Sequence, residues 1–165
     1  MRDPVLSVAE RAFLAGARRG VLATVASDGR PRLVPICFVL DAARPVLHTP
    51  LDEKPKSVDD PTQLARVRDL LRDPRVSVLV DRWDEDWAQL AWLRCHGTAS
   101  LLEPGGEGTG EHEAAVTRLR AKYPQYATHA LETRPLIRIA IERVTSWGAL
   151  DPSPGPVLRQ GLRLP

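Results

Sequence analysis

Thr49, Lys54, Lys56 and Ser57 fall on one short stretch, and Arg66 and Arg68 follow shortly after. Cations, hydroxyls and backbone N–H groups at a strand-to-helix junction make a workable phosphate cradle. A solvated charged loop is the other reading, because Asp52 to Arg75 holds six basic and six acidic residues, so the segment is not simply a basic patch. Trp83, Trp87 and Trp92 bracket an acidic stretch, and Trp147 ends the last apolar run; the chain has four Trp against two Phe and two Tyr. Such rings suit stacking on an aromatic ligand or a subunit interface, and equally ordinary core and rim packing. Histidines 48, 96, 112 and 129 share no metal-ligand spacing, so no metal site is expected. Cys95 and His96 are adjacent; on a strand they point to opposite faces and cannot act as nucleophile and base. No G-x-S-x-G, H-E-x-x-H, Walker loop or G-x-G-x-x-G is present.

These residues need a framework. Of the 165 residues, 43% are hydrophobic and 27% charged, ordinary for a folded chain and outside the disordered range. The net charge of +2 gives no argument for nucleic acid, and Lys or Arg do not alternate with aromatics. No apolar run is long enough to span a membrane. The start, MRDPVLSVAERAF, lacks the basic and long apolar regions of a signal peptide, so a cytoplasmic location is expected. Two cysteines make neither a disulfide framework nor a four-ligand zinc site.

Ser7 and Glu10 have capping-box spacing ahead of an apolar stripe through Phe13 and Leu14, with Gly20 expected as the C-terminal cap. Strands are predicted over Val21–Ala26, Arg32–Leu40 and Val46–Thr49, the first two joined by a turn at Asp28-Gly29. Pro35 cannot donate to a ladder, so its strand should have an edge, bulge or free face there. Helices are predicted over Thr62–Arg72 and Glu111–Lys122, and strands over Val76–Val80, one or two within Trp87–Leu102, and Leu136–Trp147. The expected fold is α+β, mainly β: a six-stranded antiparallel split barrel with flanking helices. It should occupy residues 1–150, leaving a Pro-rich extended tail over 151–165.

Four stretches in order carry a family likeness. V-L-A-T-V-A-S-D-G-R-P-R-L-V-P-I (Val21 to Ile36) resembles the opening hairpin of the pyridoxamine 5′-phosphate oxidase-like split-barrel superfamily. D-E-K-P-K-S, then Leu64 to Asp81, then D-E-D-W-A-Q-L-A-W-L-R-C-H-G-T-A (Asp84 to Ala99) are similar to its actinobacterial branch of oxidoreductases using the deazaflavin coenzyme F420. The resemblance spans roughly residues 5 to 150 and implies a homodimer with two cofactor sites at the subunit interface. It puts Thr49, Lys54, Lys56, Ser57 and Arg66 in the segment holding the cofactor phosphate. Val34, Pro35 and Ile36 fall on the strand passing the ring, and Trp87 and Trp147 come from the neighbouring region or subunit. The arginine and histidine set that holds pyridoxamine phosphate near the C-terminus is missing, so pyridoxamine oxidation is not expected. What the resemblance implies is hydride transfer from F420 to a small unsaturated or quinone-like substrate. FMN chemistry and non-catalytic binding of a flavin or tetrapyrrole are the alternatives. No general acid or base stands out.

Overall fold

The computed structural model describes residues 5–51 and 60–151. Helix α1 (Val8–Gly16) begins where the sequence requires: the Ser7 side chain accepts from the Glu10 N–H, and the Glu10 carboxylate accepts from the Ser7 N–H. Its C-cap is Ala17, not Gly20. Gly20 instead opens β1 (Gly20–Val25), where a Cβ would meet Val78, the Leu79 carbonyl and Phe38 at 3.2–3.3 Å. The glycine therefore serves close packing, not capping.

β2 (Pro31–Ile36) pairs with β1 across a turn in which Gly29 takes φ +81°. The single long run expected over residues 32–40 is broken after Ile36, and β3 (Val39–Leu40) is a separate strand paired with β4 (Val46–Pro50). That break gives seven strands rather than six. Helix α2 (Ala65–Arg72) precedes β5 (Arg75–Arg82), and β6 (Ala91–Leu102) follows a single 3-10 turn at Trp87–Gln89. Helix α3 (Thr109–Lys122) then leads to β7 (Leu136–Gly148).

All pairings are antiparallel, in the order β2-β1-β5-β6-β7-β4-β3, a mainly β half-barrel curled around its core. β2 is an edge strand, which is how Pro35 is tolerated. Strand alternation sends Leu22, Val78, Val80, Leu93 and Ile139 inward against α1 and α2. A second core forms where α3 lays Val116 and Leu119 on Val39, Leu102 and Leu136. Tyr123 ties these parts together: its hydroxyl accepts from the Phe38 N–H at 3.0 Å and lies 2.9 Å from the Phe38 carbonyl. Gly97 allows β6 to approach β7, since a Cβ there would lie 2.0 Å from the Ala140 carbonyl oxygen. The ladder slips at this point and Glu142 bulges out of register.

Candidate functional site

β2 carries Val34, Pro35 and Ile36, and its outer side has no strand neighbour among the described residues. The opposite end of the sheet is open too: β3 stops against His48, leaving Thr49 and Pro50 paired with β7 alone among the described residues. Only Cys37 and Phe38 separate β2 from β3, so the two open edges are close at that point, within about 10 Å. Two strand edges without a ladder partner among the described residues therefore flank the seam of the half-barrel.

Helix α2 is pinned against β1 and the start of β2 by a buried carboxylate. Asp69 accepts from Thr24 Oγ1 at 2.9 Å and from Arg32 Nε at 2.7 Å, with Arg72 at 3.5 Å. Burial alone would raise the Asp69 carboxyl, but the hydrogen bonds from Arg32 and Thr24 outweigh it and hold it below its ordinary value. Arg32 spends only Nε on this bond, and its terminal amino groups have no partner among the described residues. A fixed, half-exposed guanidinium two residues before Val34 is a ready anion donor. Arg66, half-buried, lies one turn before Asp69 on the same face of α2. Arg32 and Asp69 went unnoticed in the sequence because their spacing of 37 residues gives no local signal.

Thr49 is almost fully buried and shares the inward face of Leu47 and Leu51. Its neighbour His48 faces the other way, fully buried, with Nε2 2.7 Å from Glu111 Oε1 on α3. Glu111 also accepts from Arg44 at 3.1 Å and Arg138 at 2.9 Å. Burial would raise this carboxyl, yet the bonds from His48, Arg44 and Arg138 bring it down to about 2. Burial keeps His48 below the ordinary imidazole value despite the carboxylate. The pair is thus a neutral imidazole donating Nε2–H to a carboxylate, an assembly that fixes β4 to α3 and β7.

Trp87 and Trp147 are 74% and 55% exposed. Both lie at the far end of β6 and β7, where Trp147 stands opposite Trp92. Thr49 pairs with Ile137, ten residues before Trp147 on the same strand, a separation of about 30 Å. One chain therefore does not bring Thr49 and the tryptophans together. The expected site residues Lys54, Lys56 and Ser57 lie outside the described residues, as does nearly all of the expected tail. Cys95 is buried and His96 faces out, the strand alternation that separates them as nucleophile and base. Among the described residues no three or more His, Cys, Asp or Glu side chains form a metal-ligand group. No helix there is long and apolar enough to cross a membrane.

This antiparallel half-barrel, with α2 fixed to β1 and β2 through Asp69, is a split-barrel fold of the flavin-binding kind. The chain belongs to the pyridoxamine 5′-phosphate oxidase family, whose sequence profile matches residues 6–148. Its fold is similar to that of the conserved hypothetical protein Rv2991 from Mycobacterium tuberculosis, at 24% identity and TM-score 0.66, over 90% of this chain and 88% of that one. It is also similar to a FAD-binding protein from Mesorhizobium loti, at 24% identity, TM-score 0.59, over 86% and 94% of the two chains. A protein named F420 reductase matches at 21% identity and TM-score 0.57, over 82% and 94%.

Proposed function

We propose that this chain is a deazaflavin-dependent oxidoreductase, working as a homodimer on a small unsaturated or quinone-like substrate. The observation that carries the reading is the Arg32–Asp69 clamp, which fixes a guanidinium beside the free edge of β2. The donor set suits the group: a phosphate or acidic tail meets Arg32 and Arg66, with Lys54, Lys56 and Ser57 on the segment between β4 and α2. A planar ring lies along the edge strand at Val34, Pro35 and Ile36; Pro35 has no N–H, so its outward C=O is the backbone group that orients the ring there. When bound, the deazaflavin supplies the hydride position that no side chain offers. The membership in a family of flavin-binding fold, and the likeness to a protein named F420 reductase, support the choice.

Distance supports a second subunit. A ring held near Thr49 and β2 is covered by Trp87 and Trp147 only if they come from the partner, and exposed Trp side chains are what an interface buries. Wide hydrophobic cover then excludes water from the ring. No side chain by the seam stands out as an acid among the described residues, and in this reading the substrate proton comes from solvent.

Titrating the protein into oxidised F420 should quench or shift its fluorescence at micromolar protein, while FMN in a parallel titration should bind more weakly. FMN binding alone, or a yellow purified protein, would replace deazaflavin with FMN. Binding without turnover of any acceptor would make the chain a flavin carrier. Changing Lys54 and Lys56 to Ala should weaken binding by about 1.5–3 kcal/mol per lost charge-assisted contact, with folding unchanged.

A further inference from the structure

A second cleft, of about 470 Å³, opens on the outward face of the sheet between β1, β5, β6 and β7. One wall is polar. Ser77 and His96 stand opposite each other on β5 and β6, and Ser77 Oγ lies 2.8 Å from His96 Nδ1. Burial first, then the cations of Arg143 and Arg94, hold this imidazole below its ordinary value, so it is neutral at physiological pH. The tautomer in which Nδ1 accepts from the serine hydroxyl carries its proton on Nε2, leaving a donor not used by Ser77. Arg143 is the cross-strand partner of His96 on β7 and has no hydrogen-bonded partner among the described residues. It comes to the same face as His96 because of the bulge at Glu142, which Gly97 makes possible. The other wall is apolar, formed by Ala23, Val25 and Pro31.

The charges select the ligand. Arg75, on the rim, is already held by Asp73 at 2.6 Å, and Glu142 accepts from Thr98 Oγ1. Arg143 is left as the one lining cation without a counter-ion among the described residues, enough for one negative charge, and Glu142 opposes a second. We propose that this cleft binds an amphipathic monocarboxylate, its carboxylate on Arg143 and His96 and its apolar body along Ala23, Val25 and Pro31. A guanidinium fork matches a carboxylate with two parallel bonds, and the imidazole N–H adds a third donor. The inference does not depend on the cofactor reading: of its residues only Pro31 lies on β2, and it is not among the proposed cofactor contacts.

Calorimetric titration of benzoate into the full chain, with benzamide and inorganic phosphate as separate arms, tests it. Benzoate should bind in the millimolar range or tighter, benzamide and phosphate at least about tenfold more weakly. R143Q should cost benzoate about tenfold, H96Q less, and R143K should recover part of the loss. F420 fluorescence should be unaffected by R143Q, so failure here and failure of the cofactor reading are told apart. Equal binding of benzoate and benzamide, tighter binding of phosphate, or no effect of R143Q in a folded variant overturns the proposal. So does a cleft filled by a second copy, seen as no benzoate binding together with loss of dimer by R143Q in light scattering.

Discussion

Thr49 and Trp147 sit near opposite ends of one long strand, Thr49 paired to β7 at Ile137 and Trp147 on β7 itself ten residues later. A ligand held near the first meets the second only through another copy of the chain. Subunit mixing tests this. R66A and W147A should each weaken cofactor binding alone. A mixture allowed to exchange subunits should regain roughly a quarter of the wild-type sites, because half of random dimers are mixed and each carries one intact site. No recovery in exchanged mixtures would place all the binding residues in one chain.

The Asp69 clamp should matter for both stability and binding. D69N takes the counter-charge from Arg32 and turns one acceptor oxygen into a donor beside Thr24. The loss should be about 1–3 kcal/mol, less than for a fully buried pair because Arg32 is 43% exposed. Denaturant midpoints measure it, and cofactor affinity should fall as Arg32 loses its orientation. Since the carboxyl is held below its ordinary value when folded, its contribution is complete above about 3.8 and disappears as pH falls through the folded value.

His48 makes stability sensitive to mild acid. The unfolded chain takes up a proton near the ordinary imidazole value of about 6.5, while the buried ring resists it. Stability from this group is therefore full above about 6.5 and declines as pH falls toward the lowered folded value, by at most about 1.4 kcal/mol per pH unit. Glu111 works in the same direction at lower pH, its contribution present above about 4.5 and lost toward about 2. H48Q should flatten the midpoint between pH 6.5 and 5 by this one-proton share. A residual slope remains from His96, which is lowered as well. An unchanged slope in H48Q would show that the imidazole takes up its proton alike in the folded and unfolded chain.

Gly97 and Gly110 form a matched pair. An added Cβ at Gly97 runs into the Ala140 backbone at 2.0 Å, and neither strand can retreat without breaking the ladder. G97A should lose about 3 kcal/mol or more. At Gly110, inside α3, nothing lies within 4 Å, so G110A should gain about 0.5 kcal/mol from helix propensity. Calorimetric melting of both variants checks the contrast.

Much of the architecture was legible in residue order. The capping box at Ser7 and Glu10, the Asp28-Gly29 turn and the alternation of Ile137, Ile139 and Ile141 act over a few residues, so their patterns survive in a linear reading. Pro35 announced an edge strand because a missing N–H cannot be hidden in a central one. The break after Ile36 was not legible, because the apolar run continues through Cys37 and Phe38 while the ladder partner changes. Gly20 misled for a related reason: its crowding comes from Val78 and Phe38, far away in sequence.

By itself, then, the sequence determined the kinds of element, the family likeness and the presence of a charged segment of balanced sign after the third apolar run. Only the tertiary structure decided that Arg32 is clamped by Asp69, that His48 faces Glu111, and that Ser77, His96 and Arg143 share one wall. Those contacts join residues 19 to 66 positions apart, across strands paired out of chain order. Local propensity carries information over a turn or two, whereas which side chains meet is set by sheet register and by the burial that closes the barrel.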